Sequence, residues 1–119
     1  EKTYRRLLDE ARQANPALRI VLCTPFAAPC GKIVEGALGA YYPLRQQMLA
    51  QCSAIVEKIA RDYGATLVPF HRLIAGLESR LPNGDATYWA WDGIHPTPAG
   101  QRLMADCWIG AAARSGVME

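Results

Sequence analysis

Strands that alternate with helices predict an α/β fold built on a parallel sheet, and a shortage of strands predicts that only part of such a sheet is present. Leu18-Arg19-Ile20-Val21-Leu22-Cys23-Thr24 is short, β-branched and nearly continuously apolar, as suits a strand covered on both faces. A long amphipathic helix separates it from a second short apolar run at residues 65–70, the order of a right-handed parallel crossover. No third run of this kind follows. A two-stranded parallel sheet leaves edges and helix faces uncovered, so the pattern reads as a piece of a larger sheet.

Each element has its own local reason. Tyr4, Leu7, Leu8 and Ala11 recur at helical spacing, and Asn15-Pro16 stops that helix. The first strand ends at Pro25. Residues 25–42 contain Pro25, Pro29, Gly31, Gly36 and Gly39 and predict a long irregular loop, a length that is often functional. From Pro43 to Tyr63 one stripe holds Leu44, Met48, Cys52, Ile55, Val56, Ile59 and Tyr63. Pro43 suits the first turn of that helix and Gly64 its C-terminal cap. Ala65-Thr66-Leu67-Val68-Pro69-Phe70 is the second strand, and Leu73, Ile74, Leu77 and Leu81 predict a short helix after it. Pro82-Asn83-Gly84-Asp85 is a turn. A loop with Tyr88, Trp89 and Trp91 leads to Asp92. Thr97 then caps a last helix with Pro98 in its first turn and Leu103, Met104, Cys107, Trp108 and Ala111 on one face.

Composition narrows the function classes. A chain of 119 residues is enough for one domain and not for two. Thirteen basic and eleven acidic residues are nearly balanced and scattered, which argues against a nucleic-acid partner. No apolar run approaches the roughly 18 residues of a membrane span, and no signal-peptide pattern appears. The chain starts at Glu1 rather than a methionine, as expected of a processed product, an excised piece or a truncated reading frame, so its compartment is not legible. Cys23, Cys30, Cys52 and Cys107 show no Cys-x-x-Cys spacing and predict free thiols. Cys23, Cys52 and Cys107 fall on apolar runs or faces and predict burial, whereas Cys30 lies in the loop. No metal or cofactor is expected: His71 has no carboxylate cluster beside it and reads as a surface or packing residue.

The chemistry concentrates at Asp92-Gly93-Ile94-His95-Pro96-Thr97. In ester or amide hydrolysis a histidine takes the proton of an attacking hydroxyl and returns it to the leaving group. A carboxylate on the other ring nitrogen fixes the tautomer and stabilises the imidazolium. Three-residue spacing across a Gly-Pro-punctuated turn lets the two side chains converge. The bland alternative is a simple turn followed by a pre-helix loop histidine.

Trp91-Asp92-Gly93-Ile94-His95-Pro96-Thr97-Pro98-Ala99-Gly100 resembles the last sequence block of the SGNH, or GDSL-type, esterase and lipase family. The run from Leu18 to Phe26 resembles its fourth strand and following loop, and the helix at 43–63 with Leu67-Val68-Pro69-Phe70 resembles the next helix and fifth strand. The resemblance covers nearly the whole chain and matches only the C-terminal half of a family domain. It implies a partial three-layer α/β/α sandwich of the flavodoxin-like SGNH type, with two parallel strands and flanking helices out of a five-stranded sheet. It also implies cleavage of carboxylic esters of a lipid, sugar or small alcohol, with Asp92 orienting His95 as general base. Residues 1–119 are then the C-terminal portion of one such domain.

The family's nucleophilic Ser block, and the Gly and Asn blocks of its oxyanion hole, are absent from this sequence. Ser53 is mid-helix, Ser79 lies at a helix end and Ser115 is near the terminus. Gly84-Asp85-Ala86 imitates Gly-Asp-Ser with Ala at the nucleophile position, and it follows a turn rather than a strand. Gln101 stands where the family often has a second His. Cys30 as a thiol partner of His95 has nothing in the sequence to activate it. The chain is therefore expected to be inactive alone. Phe26, Trp89 and Trp91 are candidates for substrate contact, against the plainer reading of aromatic cover for the core. The rival to the hydrolase reading is a non-catalytic α/β domain that binds a partner, or a second copy, through its open sheet edge. Either way an uncovered edge predicts poor solubility, self-association or loose packing.

Overall fold

The computed structural model describes residues 1–78 and 85–117. Its order is α1 (Lys2–Ala14), β1 (Val21–Cys23), α2 (Gly36–Ala40), α3 (Tyr42–Asp62), β2 (Thr66–Val68), α4 (Phe70–Glu78) and α5 (Pro98–Arg114). Short 3-10 turns at Gly31–Val34 and Ala86–Tyr88 punctuate the loops. The expected order of helices and strands is present, and the strands are parallel, with Val21 opposite Thr66, Leu22 opposite Leu67 and Cys23 opposite Val68. Two further bonds extend the ladder: Thr66 N–H donates to Ile20 O and Thr24 N–H to Val68 O. The positions expected for Ser79, Leu81 and the turn at 82–84 lie outside the described residues.

Alternation along the strands sorts side chains to two faces. Ile20, Leu22 and Leu67 turn toward α1 and α3, where they pack with Leu8, Val56, Ile59 and Ala60. Thr66 points the other way, and its hydroxyl donates to Ser115 Oγ just past the end of α5 (2.7 Å). Helix, sheet and helix thus stack as a partial three-layer sandwich. Polar contacts hold α1 along the end of α3: Arg5 pairs with Asp62 (2.6 Å), and the Tyr63 hydroxyl donates to Asp9 (2.7 Å). Arg12 donates to the Tyr63 carbonyl (2.6 Å).

A second, smaller core holds Ala28, Cys30, Ile74, Ala86 and Ala90, with Phe26 and Leu77 against it. It joins the segment after β1 to α4 and to the stretch that leads into Asp92. Buried Thr24 ties it to the sheet, because its hydroxyl accepts the His71 N–H at the start of α4 (2.9 Å). His71 contributes its backbone to this contact.

Several expectations about burial are corrected. The stripe on α3 is buried only in its second half, at Ser53, Val56, Ile59 and Ala60. Leu44 and Met48 are 54% and 56% exposed, and Cys52 is exposed too. The reason is length. A helix of 21 residues runs about 31 Å, whereas strands of three residues reach about 10 Å. Cys23, expected inside, is exposed because α5 packs chiefly over β2 and covers β1 less. Cys30, the loop cysteine, is buried, and Cys107 is half-buried. Leu7 and Trp108 point outward from α1 and α5. The loop at 25–42 is also more regular than expected, since it contains a 3-10 turn and α2. The radius of gyration, 15.9 Å, exceeds the about 13.5 Å of a compact domain of this length, in keeping with a sheet that closes on few neighbours.

Ile59 has no exposed surface and Leu44 lies mostly in water on the same helix. Ile59→Ala is therefore expected to cost about 2–5 kcal/mol and Leu44→Ala no more than about 0.5 kcal/mol, as read by urea unfolding. Tyr41, Leu44, Arg45, Met48, Leu49 and Cys52 line a mostly apolar groove of about 390 Å³. An exposed apolar face of this kind favours self-association. Leu44→Lys/Met48→Lys should shift sedimentation toward the monomer with no loss of helical circular dichroism.

Candidate active site

The loop from Trp89 to Thr97 closes on itself before it presents any side chain. Ala90 and Pro96 form an antiparallel bridge. Trp91 N–H donates to His95 O, and Thr97 N–H donates to Trp89 O, both at 3.0 Å. The Thr97 hydroxyl accepts the Gly100 N–H (3.1 Å), as an N-cap should, and donates to Tyr88 O (2.7 Å). Gly100 is required here because a Cβ would run into the Trp89 carbonyl. At the tip, Gly93 has φ of +88°, a left-handed value suited to glycine.

Within this frame the two oxygens of Asp92 act differently. Oδ1 accepts the N–H groups of Ile94 (3.0 Å) and His95 (2.9 Å), folding the turn around the carboxylate. Oδ2 lies 2.8 Å from His95 Nδ1. The three-residue spacing thus brings together the pair expected from the sequence. The His95 N–H, the His95 ring and then the Ile94 N–H, in that order of effect, hold the Asp92 carboxyl well below the usual carboxylate range. Water reaches more than a third of the Asp92 side chain, so the shift is owed to these hydrogen bonds rather than to burial. An ionised carboxylate only accepts, so His95 Nδ1 is the donor, and in the neutral ring Nε2 carries the lone pair. The ring is 79% exposed and directs that lone pair away from Asp92. A buried carboxylate is usual for a working triad; here the pair is open to water.

The hydrogen bond of the His95 ring is the one to Asp92. Ser53 is buried in α3, and Ser115 bonds to Thr66 and Ala112. The Cys30 thiol donates to Ala90 O (2.9 Å). Among the described residues no group of three or more His, Cys, Asp or Glu side chains could hold a metal ion. No described helix is long and apolar enough to cross a membrane.

The three candidate aromatics occupy different places. Trp91 is 64% exposed, next to exposed Ile94. Trp89 is half-buried and meets Tyr88 edge to face at 4.7 Å. Phe26 packs on the second core below the loop. Sequence reasoning missed what lies beneath Asp92: Ala28, Cys30, Gly31 and Ile33. Gly31 stood out as a loop glycine, but no local pattern connects it to Asp92, far along the chain.

A parallel α/β sandwich with a carboxylate-oriented imidazole beyond the C-terminal ends of its strands defines an α/β protein with a site where such folds place ligands. The chain belongs to the GDSL-like lipase/acylhydrolase family, whose model matches residues 1–103. Among solved structures it is similar to a protein from Parabacteroides merdae described as a GDSL-like lipase, with 30% sequence identity and a TM-score of 0.76. That likeness covers 92% of this chain and 46% of the other, so the chain spans about half the length of the relative. A comparison with curated proteins finds no match.

With its pKa depressed, Asp92 favours the fold while ionised. That contribution is complete above the ordinary carboxylate value of about 3.9 and is lost only as pH falls through the lower folded value. A carboxyl carbon-13 titration is expected to show Asp92 still ionised when ordinary carboxylates have protonated. A midpoint near the ordinary value would show that the three hydrogen bonds are not made.

Proposed function

We propose that this chain is the C-terminal portion of an SGNH-type serine ester hydrolase domain and supplies the orienter and base of its triad. The observation that carries the reading is the Asp92 Oδ2 to His95 Nδ1 contact of 2.8 Å, with Nε2 left open, in a chain of this family. In the complete site a serine hydroxyl approaches Nε2 and attacks an ester carbonyl as His95 takes its proton. Asp92 holds the ring and balances the imidazolium, which then protonates the departing alkoxide. The serine, and the donors that stabilise the oxyanion, come from outside these 119 residues. The substrate class is a carboxylic ester, acyl or acetyl, of a lipid, sugar or small alcohol. Exposed Trp91 and Ile94 offer apolar surface beside the base, with Trp89 and Phe26 backing the loop.

A second reading has its own support. The apolar groove on α3 and the open two-stranded sheet are surfaces that a non-catalytic domain would use to bind a partner.

Esterase assays separate the two. The chain alone is expected to hydrolyse p-nitrophenyl acetate no faster than buffer. Co-expressed with an N-terminal segment that carries Gly-Asp-Ser, Gly and Asn blocks, it should give turnover that falls by about 10²–10⁴-fold in His95→Ala. Complexes that assemble but turn over equally with His95→Ala would refute the catalytic role and favour the binding domain. Turnover by the chain alone, lost in His95→Ala, would reveal a nucleophile within it.

A further inference from the structure

We propose that residues 28–33 form a cradle that sets the position of Asp92, and that Gly31 is a positioning residue for the Asp92–His95 pair. The loop's own hydrogen bonds give it a shape but do not set its place over the sheet. Beside the second core and α5, four contacts with the segment after β1 set that place at Asp92. Ala28 N–H donates to Gly93 O (2.8 Å), and the Cys30 thiol donates to Ala90 O (2.9 Å). The Ile33 side chain, 3% exposed, fills the space under Gly93, where a Cβ would collide with its Cγ1 and Cδ1. Gly31 lies against the backbone of Asp92 itself. A Cβ there would stand 2.5 Å from Asp92 Cα and 2.9 Å from Trp91 O. These obstacles are backbone atoms, which cannot swing aside as a side-chain end can.

The cradle hangs directly from the sheet, because Thr24, four residues before Ala28, still donates to Val68 O. The chain of support therefore runs from β1 through residues 28–33 to Asp92, and from Oδ2 to the imidazole. His95 is mostly in water, and Asp92 is the partner of its ring. Any displacement of Asp92 is passed to the ring. Free imidazole side chains favour the tautomer with the proton on Nε2, so the Nδ1–H form is a sensitive report of where Oδ2 stands.

Nitrogen-15 spectra of the His95 ring near neutral pH, in the Leu44→Lys/Met48→Lys background for solubility, test the cradle. The parent should show a hydrogen-bonded Nδ1–H at low field. Gly31→Ala should lose that resonance and move toward the Nε2–H tautomer. Gly36→Ala is the control. Gly36 has a similar left-handed φ, +51° against +61°, but open space around its Cβ direction, so it meets the same backbone strain and should leave the tautomer as in the parent. If Gly31→Ala does not fold, Ile33→Val decides, since it withdraws one methyl from beneath Gly93 and should weaken the same resonance. A folded Gly31→Ala, or failing that Ile33→Val, with the parent spectrum would overturn the cradle. The catalytic meaning of the cradle rests on the hydrolase reading, but the tautomer does not. A parent chain that assembles with the N-terminal segment but stays inactive, while Gly31→Ala still shifts the tautomer, would count against the reading alone; an active assembled Gly31→Ala with the parent tautomer would count against the cradle alone.

Discussion

Asp92 divides its two oxygens between folding and aiming, and the arrangement of the site follows from that division. Oδ1 gathers two backbone N–H groups and makes the turn; Oδ2 is thereby fixed in direction and reaches the ring three residues on. A carboxylate with that many donors stays charged, and a charged carboxylate fixes which ring nitrogen carries the proton. The same atoms that fold the loop thus decide its acid-base state. Side-chain packing contributes little, because both residues are open to water.

The rest of the structure supplies a place for that turn. Parallel pairing aligns the C-terminal ends of β1 and β2, and both feed the small second core under the loop. The larger core, centred on Ile59, Leu22 and Leu8, lies between the sheet and α1 and α3. Cohesion and chemistry are therefore separated: burying Ile59 stabilises the sandwich, and the alanine-rich second core permits the close backbone approach at Gly31 and Gly93.

What the sequence disclosed depended on how far apart the partners lie. The pairing of Asp92 with His95 was legible because it is local, as was the cap at Thr97. The periodicity of α3 was legible as a stripe, but its burial was not, since Leu44 and Met48 are covered only if something lies opposite them. Cys23 reversed its expected burial for the same reason. Cys23 sits on an apolar strand that α5 covers less than it covers β2, and Cys30 sits in a loop that the second core encloses. The approach of Gly31 to Asp92 joins positions far apart in the chain and leaves no trace in spacing or composition.

The Thr97 hydroxyl accepts from the first turn of α5 and donates to Tyr88 at the other end of the loop. One rotor thus closes the loop and starts the helix. Fraying of the first turn of α5 would release the loop's entry strand in the same event. The segment from Tyr88 to Gly100 should then open and exchange its amides as a single cooperative unit with the head of that helix. Its residence time in the closed form would be governed by a helix terminus rather than by the flexibility usual for an exposed connection.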